Sequence, residues 1–160
     1  MSSSSIAGCG LGWVSSPQRV AANSAPMPLV ASARSSPRRG LPVATGENLH
    51  TLHEFANLMR AGGVTFPEPD VTNCGGVTTF MKVAHLAEAM NLPVTSHGAH
   101  DVTVHLLAAA PNRSYLEAHG FGLERFVTPL LKLEDGFAVA PDTPGHGLAF
   151  DWKGLEALRV

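Results

Sequence analysis

The chain has 160 residues, of which 44% are hydrophobic and 15% charged, and its net charge is −2. This composition is typical of one globular domain, and its scattered lysines and arginines exclude nucleic acid or an anionic membrane as a partner. Two cysteines without a paired-cysteine motif exclude a disulfide framework, so we expect a cytoplasmic protein.

Residues 1–40 differ in composition from the rest of the chain. They are rich in serine and contain four arginines but no aspartate, glutamate or lysine, and no period of 2 or 3.6 residues runs through them. We therefore expect a disordered or spurious leader outside the fold. An organellar transit peptide is the alternative that this composition leaves open.

From residue 41 onward, short apolar runs alternate with helical periodicity. The predicted strands lie at residues 41–45, 64–66, 93–96 and 115–117. Helices are predicted between them, with Leu52 and Phe55 on the inner face of the first, Phe80 and Val83 on that of the second, and residues 102–109 forming the third. This order of strands and helices is typical of a parallel α/β fold.

Residues 121–160 have a different character and form a predicted tail. Two apolar runs at residues 130–133 and 137–140 flank the pair Asp135-Gly136, which predicts a β-hairpin. The segment 141–147 is rich in proline and glycine, and we expect regular structure to end there.

Each predicted strand from residue 41 onward ends at a residue that can act as an acid, a base or a ligand. These residues are Glu47, Asp70, His97 and Glu117, at intervals of 23, 27 and 20 residues. In a β/α barrel the loops after the strands open on one face, so residues far apart in sequence meet there. The spacing predicts that the four side chains share one site.

The residue types suit removal of a proton next to a carboxylate. A histidine whose ring is hydrogen-bonded by a buried aspartate is a stronger and correctly oriented base, which predicts a pair between His97 and Asp70. Glu47 can coordinate a hard cation such as Mg²⁺. Glu117, if protonated in a desolvated site, can donate to a substrate carboxylate.

Each of these residues also has a structural interpretation. A glutamate after a strand often interacts with a helix N-terminus, and a single histidine is often a partly buried structural residue. Glu47 with His50 and His53 has a spacing that zinc can use, although such helical positions are usually solvated. The four strand-end residues taken together favour a functional site.

The motifs resemble the C-terminal half of the mandelate racemase subgroup, in the mandelate racemase and muconate lactonizing enzyme family of the enolase superfamily. They are Gly46-Glu47-Asn48, Pro69-Asp70 with Cys74-Gly75-Gly76, Thr95-Ser96-His97 and Tyr115-Leu116-Glu117. The resemblance implies an α/β fold: the C-terminal half of a TIM-type (β/α)7β barrel, with strands five to eight in residues 41–120. Residues 121–160 would be a tail of the capping-domain type.

The resemblance also implies roles for the four residues. His97 and Asp70 would form the catalytic dyad and Glu117 the electrophilic acid, with His97 and Glu117 touching a small carboxylic-acid substrate such as a 2-hydroxy acid or sugar acid. Glu47 would be one ligand of Mg²⁺. Members of the family are racemases, cycloisomerases and acid-sugar dehydratases, and we expect the intact enzymes to be homo-oligomers.

The family also has a capping domain, a Lys-x-Lys base and two further acidic ligands, and residues 1–40 contain no lysine and no carboxylate. Two function hypotheses follow. The chain is part of a Mg²⁺-dependent racemase or dehydratase, incomplete and inactive alone, or it is a non-catalytic fragment that acts through association with another half barrel.

Overall fold

The computed structural model describes residues 19–23, 42–118 and 123–159. Its strands and helices begin with β1 (Arg19–Asn23), β2 (Ala44–Thr45), α1 (Leu52–Arg60), β3 (Phe66–Pro67), α2 (Val77–Ala89), β4 (Val94–Ser96), α3 (His100–Ala109) and β5 (Arg113–Glu117). They continue with β6 (Val127–Thr128), β7 (Lys132–Glu134), β8 (Phe137–Val139), β9 (Ala149–Phe150) and α4 (Trp152–Glu156).

Strands β2 to β5 run parallel and follow one another in space as they do in sequence. β2 pairs with β3, β4 pairs with β5, and a parallel bridge between Asp70 and His97 joins β3 to β4. A helix connects each strand to the next. This is half of a β/α barrel, and it confirms the predicted α/β fold.

Helix α1 begins where local chemistry favours it. At the start of α1, the Thr51 hydroxyl accepts the Glu54 N–H at 3.3 Å and the Glu54 carboxylate accepts the Thr51 N–H at 2.8 Å, which is a capping box. The inner faces of the three helices pack on the strands. The core includes Phe55, Met59, Phe80, Val83, Val94, Val104, Leu107 and Leu116.

The first strand lies inside the stretch that the sequence places outside the fold. β1 pairs in parallel with β5 and antiparallel with β8, and the side chain of Val20 is buried in the core. The stretch predicted as a leader therefore includes one strand of the sheet, Arg19–Asn23. No local pattern marks these five residues, because their position depends on pairing with strands about a hundred residues away. The other residues of the leader, and Cys9, lie outside the described residues.

The tail contains the predicted hairpin and, after it, a further strand and a helix. β7 and β8 pair around Asp135 and Gly136, both of which have positive φ as a type I′ turn requires. Regular structure does not end at residue 147, however: β9 pairs with β6, and α4 begins after Asp151, whose carboxylate accepts the Gly154 N–H at 3.0 Å. Among the described residues, no helix is long and apolar enough to cross a membrane.

We expect the 160-residue chain on its own to self-associate. Within the described part of the chain β2 pairs only with β3, so one edge of the half barrel is open, and Tyr115, Leu133 and Trp152 are among the exposed large apolar residues. An open strand edge with exposed apolar surface favours association. Sedimentation velocity at increasing protein concentration should show a rising average mass. A concentration-independent compact monomer would contradict this expectation.

Candidate active site

The ends of β2 to β5 bring the four predicted residues together around one imidazole. The Nδ1 atom of His97 lies 3.0 Å from Oδ2 of Asp70. Its Nε2 atom lies 3.0 Å from Oε2 of Glu47 and 3.6 Å from Oε2 of Glu117. The structure thus places the four side chains together at one rim, as the spacing predicts.

Asp70 is the most enclosed member of the group, with 5% of its surface exposed. Its Oδ1 atom accepts two hydrogen bonds from Thr72, from the backbone N–H at 2.7 Å and from the hydroxyl at 2.6 Å. Burial raises the pKa of Asp70, but the bonds from Thr72 and His97 outweigh burial, and the pKa is lowered below its usual value. Asp70 is thus held as an anion.

Gly98 makes room for the contact between Asp70 and His97. Its φ is +60°, and a Cβ at this position would lie 2.6 Å from Oδ2 of Asp70. A side chain would therefore occupy the space that the carboxylate needs. Glycine is required here both for its backbone conformation and for this close approach.

The charge state of His97 follows from its three carboxylate neighbours. Burial lowers its pKa, but the hydrogen bond to Asp70 and the negative charges of Glu117 and Glu47 outweigh that effect and raise the pKa above its usual value. The sequence predicts Asp70 as the partner of the ring, and the structure adds Glu47 and Glu117 at the other nitrogen. For His97 to accept a proton at Nε2, these two carboxylates must turn away from it.

Glu47 is placed by a tightly packed loop after β2. Gly46 has a φ of +135°, and a Cβ there would meet the Phe55 ring at 2.6 Å and the Glu68 carbonyl oxygen at 3.2 Å. The Glu47 side chain accepts a hydrogen bond from the Asn48 amide at 3.2 Å, and its backbone carbonyl accepts one from the Asn73 amide at 3.2 Å. These contacts hold the loop against the one that follows β3.

A magnesium ion needs more oxygen ligands than Glu47 supplies. In the described ranges, no group of three or more histidine, cysteine, aspartate or glutamate residues has a geometry that could hold a metal ion. Mg²⁺ requires an octahedral shell, usually completed by a second carboxylate, water and substrate. The described residues therefore do not by themselves fit a Mg²⁺ site.

Three further histidines contact neighbouring groups of the protein. The His50 ring contacts the Asn73 carbonyl oxygen at 3.3 Å, and the His100 ring lies 3.4 Å from the carboxylate of Asp101. His105 contacts the backbone carbonyl of His146 at 3.2 Å. The contacts of His50 and His105 join neighbouring segments, whereas His100 and Asp101 are adjacent residues of α3.

Sequence reasoning missed Glu68, which is 5% exposed and lies just before Asp70 on the same strand end. Burial, with the negative charges of Glu117 and Glu47, raises its pKa to about 7. Glu68 is an acidic residue two positions before the candidate Asp70 in the same segment after β3, and this closeness in sequence was a usable signal. Thr72 and Gly98 were also missed, because their roles appear only from their contacts with Asp70.

Comparison with known proteins gives a family match and similar sequences. Residues 6–154 match the family model described as enolase C-terminal domain-like, and this match includes most of the predicted leader. A 3,6-anhydro-alpha-L-galactonate cycloisomerase of Streptomyces coelicolor is 51% identical over 150 residues, which cover 94% of this chain and 40% of that enzyme. The chain thus spans about 40% of the length of this relative.

Solved structures give the same result. A racemase from Streptomyces coelicolor A3(2), solved with bound magnesium, is 52% identical with a TM-score of 0.75, over 80% of this chain and 35% of that one. An L-talarate dehydratase from Polaromonas sp. JS666, complexed with Mg and L-glucarate, is 35% identical with a TM-score of 0.67, over 72% of this chain and 32% of that one. The chain belongs to the mandelate racemase and muconate lactonizing enzyme family of the enolase superfamily.

Proposed function

We propose that this chain supplies the base side of an active site that removes the proton alpha to the carboxylate of a sugar acid or related 2-hydroxy acid. The observation that carries the proposal is the 3.0 Å contact between Nδ1 of His97 and Oδ2 of Asp70, at the ends of adjacent parallel strands. The cycloisomerase and dehydratase relatives support a sugar acid as the substrate class.

The proposed chemistry follows from the hydrogen bonds of the pair. When neutral His97 donates its Nδ1 proton to Asp70, the lone pair is on Nε2, and Nε2 takes the alpha proton. Asp70 stabilises the imidazolium that forms. Glu117 lies 3.6 Å from the same nitrogen, and we assign its protonated form, in the desolvated complete site, the role of hydrogen-bond donor to the substrate carboxylate.

We also propose that Glu47 is one ligand of Mg²⁺ in the complete site. The support is its carboxylate at the rim and the magnesium in the solved racemase relative. A bound Mg²⁺ would stabilise the charge that develops on the substrate carboxylate. Because the described residues do not complete a site, further ligands and the second base must come from the part of the barrel that these residues do not form.

A second candidate function is non-catalytic association with another half barrel. The open edge at β2 and the exposed apolar residues favour it. The two proposals differ in one outcome, because only the first requires proton transfer once the complementary strands are present.

The test is complementation. We expect that co-expressing this chain with the cap and first four barrel strands of the Streptomyces cycloisomerase gives a complex that exchanges the alpha proton of a 2-hydroxy acid with solvent deuterium. Each half alone should be inactive on mandelate and hexarate-type acids. Asp70→Asn and His97→Asn should each lower the exchange rate by about 10² to 10⁴-fold, the typical contribution of a positioned acid or base.

The matched control is His85→Asn, because His85 is exposed on α2 and its ring lies 3.4 Å from the carboxylate of Glu88, away from the four strand-end residues. This variant should exchange at the parental rate. Exchange that persists in both dyad variants would refute the assignment of His97 and Asp70. An assembled complex, verified by sedimentation, that shows no exchange at all would favour the non-catalytic alternative.

A further inference from the structure

We propose that Thr72 is the positioning residue of the His97–Asp70 pair, acting through the Asp70 carboxylate. The inference rests on the proposed function of that pair. It extends that proposal by naming the group that decides which carboxylate oxygen faces the imidazole.

The geometry assigns the two oxygens of Asp70 to different partners. Oδ1 accepts both the backbone N–H of Thr72 at 2.7 Å and its hydroxyl at 2.6 Å. Oδ2 is left for Nδ1 of His97 at 3.0 Å. Two donors on one oxygen, from the backbone and side chain of one residue, fix the plane of the carboxylate as well as its position.

The hydroxyl has a specific part in this arrangement. The turn after β3 is already held by backbone bonds, from the N–H groups of Asn73 and Cys74 to the Asp70 carbonyl oxygen at 3.1 and 2.8 Å. These bonds hold the main chain but do not fix the rotation of the Asp70 side chain. Without the hydroxyl, a single backbone N–H would hold Oδ1, and the carboxylate plane could turn.

Gly98 limits the opposite side of the same carboxylate. Its Cα is close enough that an added Cβ would be 2.6 Å from Oδ2. The carboxylate is thus confined between Thr72 and the chain at Gly98. Thr72 is exposed, whereas Asp70 is buried. Substitution of Thr72 should therefore remove no core packing, and its effect should be limited to the orientation of the Asp70 carboxylate.

The first test is the Nδ1–H proton of His97, which a hydrogen bond to a carboxylate shifts strongly downfield in a proton NMR spectrum and protects from exchange with water. The 160-residue chain is measured at a concentration where sedimentation gives a single species. Thr72→Val, which keeps the shape but removes the hydroxyl, should move this resonance upfield and speed its exchange with water several-fold. Thr72→Ser should retain the parental resonance.

Two further variants separate positioning from general damage. Thr79→Val removes a threonine hydroxyl that bonds the Gly75 carbonyl at 3.4 Å on α2, and it should leave the resonance unchanged. Thr72→Ala serves as a second removal variant and should behave as Thr72→Val. A parental resonance and exchange rate in both removal variants would overturn the proposal, as would equal loss in Thr72→Ser and Thr72→Val.

The second readout is alpha-proton exchange in the complemented barrel. Thr72→Val should lower kcat by roughly ten-fold with little change in KM, as for other residues that orient a reacting group, and Thr72→Ser should restore it. A change in KM alone would contradict a role through the dyad. If the parental complex shows no exchange, the proposed function fails, and the NMR measurement still decides the role of Thr72.

Discussion

Replacing Glu68 by glutamine is expected to abolish a pH-dependent loss of stability that the parental chain undergoes between about pH 4.5 and 7. In the folded chain the pKa of Glu68 is raised from 4.5 to about 7 by burial and by the charges of Glu117 and Glu47. The folded state therefore holds a proton on Glu68 that the unfolded state releases. Stability that is fully present below pH 4.5 is lost as the pH rises through about 7.

The expected size of this effect follows from the shift. One pKa unit corresponds to about 1.4 kcal/mol, so Glu68 is expected to remove about 3 kcal/mol from the free energy of unfolding across this range. Urea unfolding at fixed protein concentration, repeated at intervals of pH, measures it. The Glu68→Gln variant should be nearly flat up to pH 6.5, above which the raised pKa of His97 gives a remaining decrease.

The control for Glu68 is Glu124→Gln, because Glu124 is an exposed glutamate outside the four-residue cluster. Its substitution should leave the parental decrease in place. If the unfolding free energy of the parental chain does not fall between pH 4.5 and 7, the pKa of Glu68 is not raised by folding. The inference that folded Glu68 keeps its proton in this pH range would then be wrong.

Replacing Gly98 by alanine is expected to break the contact between Asp70 and His97 and to destabilise the chain. Two costs combine. An L-residue at a φ of +60° costs roughly 1 to 2 kcal/mol, and the new Cβ would lie 2.6 Å from Oδ2 of Asp70. The buried Asp70 carboxylate is held by Thr72 and has little room to move. The Gly98→Ala variant should therefore lose the downfield Nδ1–H resonance of His97, and in the complemented barrel it should lower the rate of alpha-proton exchange.

Gly62→Ala is the matched control for Gly98→Ala. Gly62 has a φ of +70°, and a Cβ there would have no atom within 4 Å, so this variant has the backbone strain without the collision. Both variants should lower the urea midpoint, and only Gly98→Ala should change the His97 resonance. Equal behaviour of the two would mean that backbone strain alone explains the effect and that Asp70 tolerates a neighbour at position 98.

Several elements of the fold were determined by residues close to one another in sequence. The capping box of Thr51 and Glu54 starts α1, the apolar period of Phe80 and Val83 marks α2, and Asp135-Gly136 supplies the positive φ angles of the hairpin turn. These signals are local, because each depends on atoms within a few residues. They are therefore present in the sequence before any tertiary contact forms.

The four strand-end residues were also determined at the level of sequence, because strand and helix alternation fixes which end of each strand reaches the rim. Glu47, Asp70, His97 and Glu117 are brought together as that alternation predicts. The charge states of these residues were not determined by the sequence alone. The raised pKa of His97 depends on carboxylates from three different strand ends, at distances that only the packed barrel sets.

Only the tertiary structure decided the remaining features. β1 joins the sheet by pairing with β5 and β8, which lie far along the chain. No local sequence pattern predicts that pairing. The pKa of Glu68 is raised because packing removes it from water, and Gly98 matters because the segment after β3 places the Asp70 carboxylate against it. The sequence by itself determined which groups reach the rim, whereas burial and close approach between distant segments decided how those groups are charged and oriented.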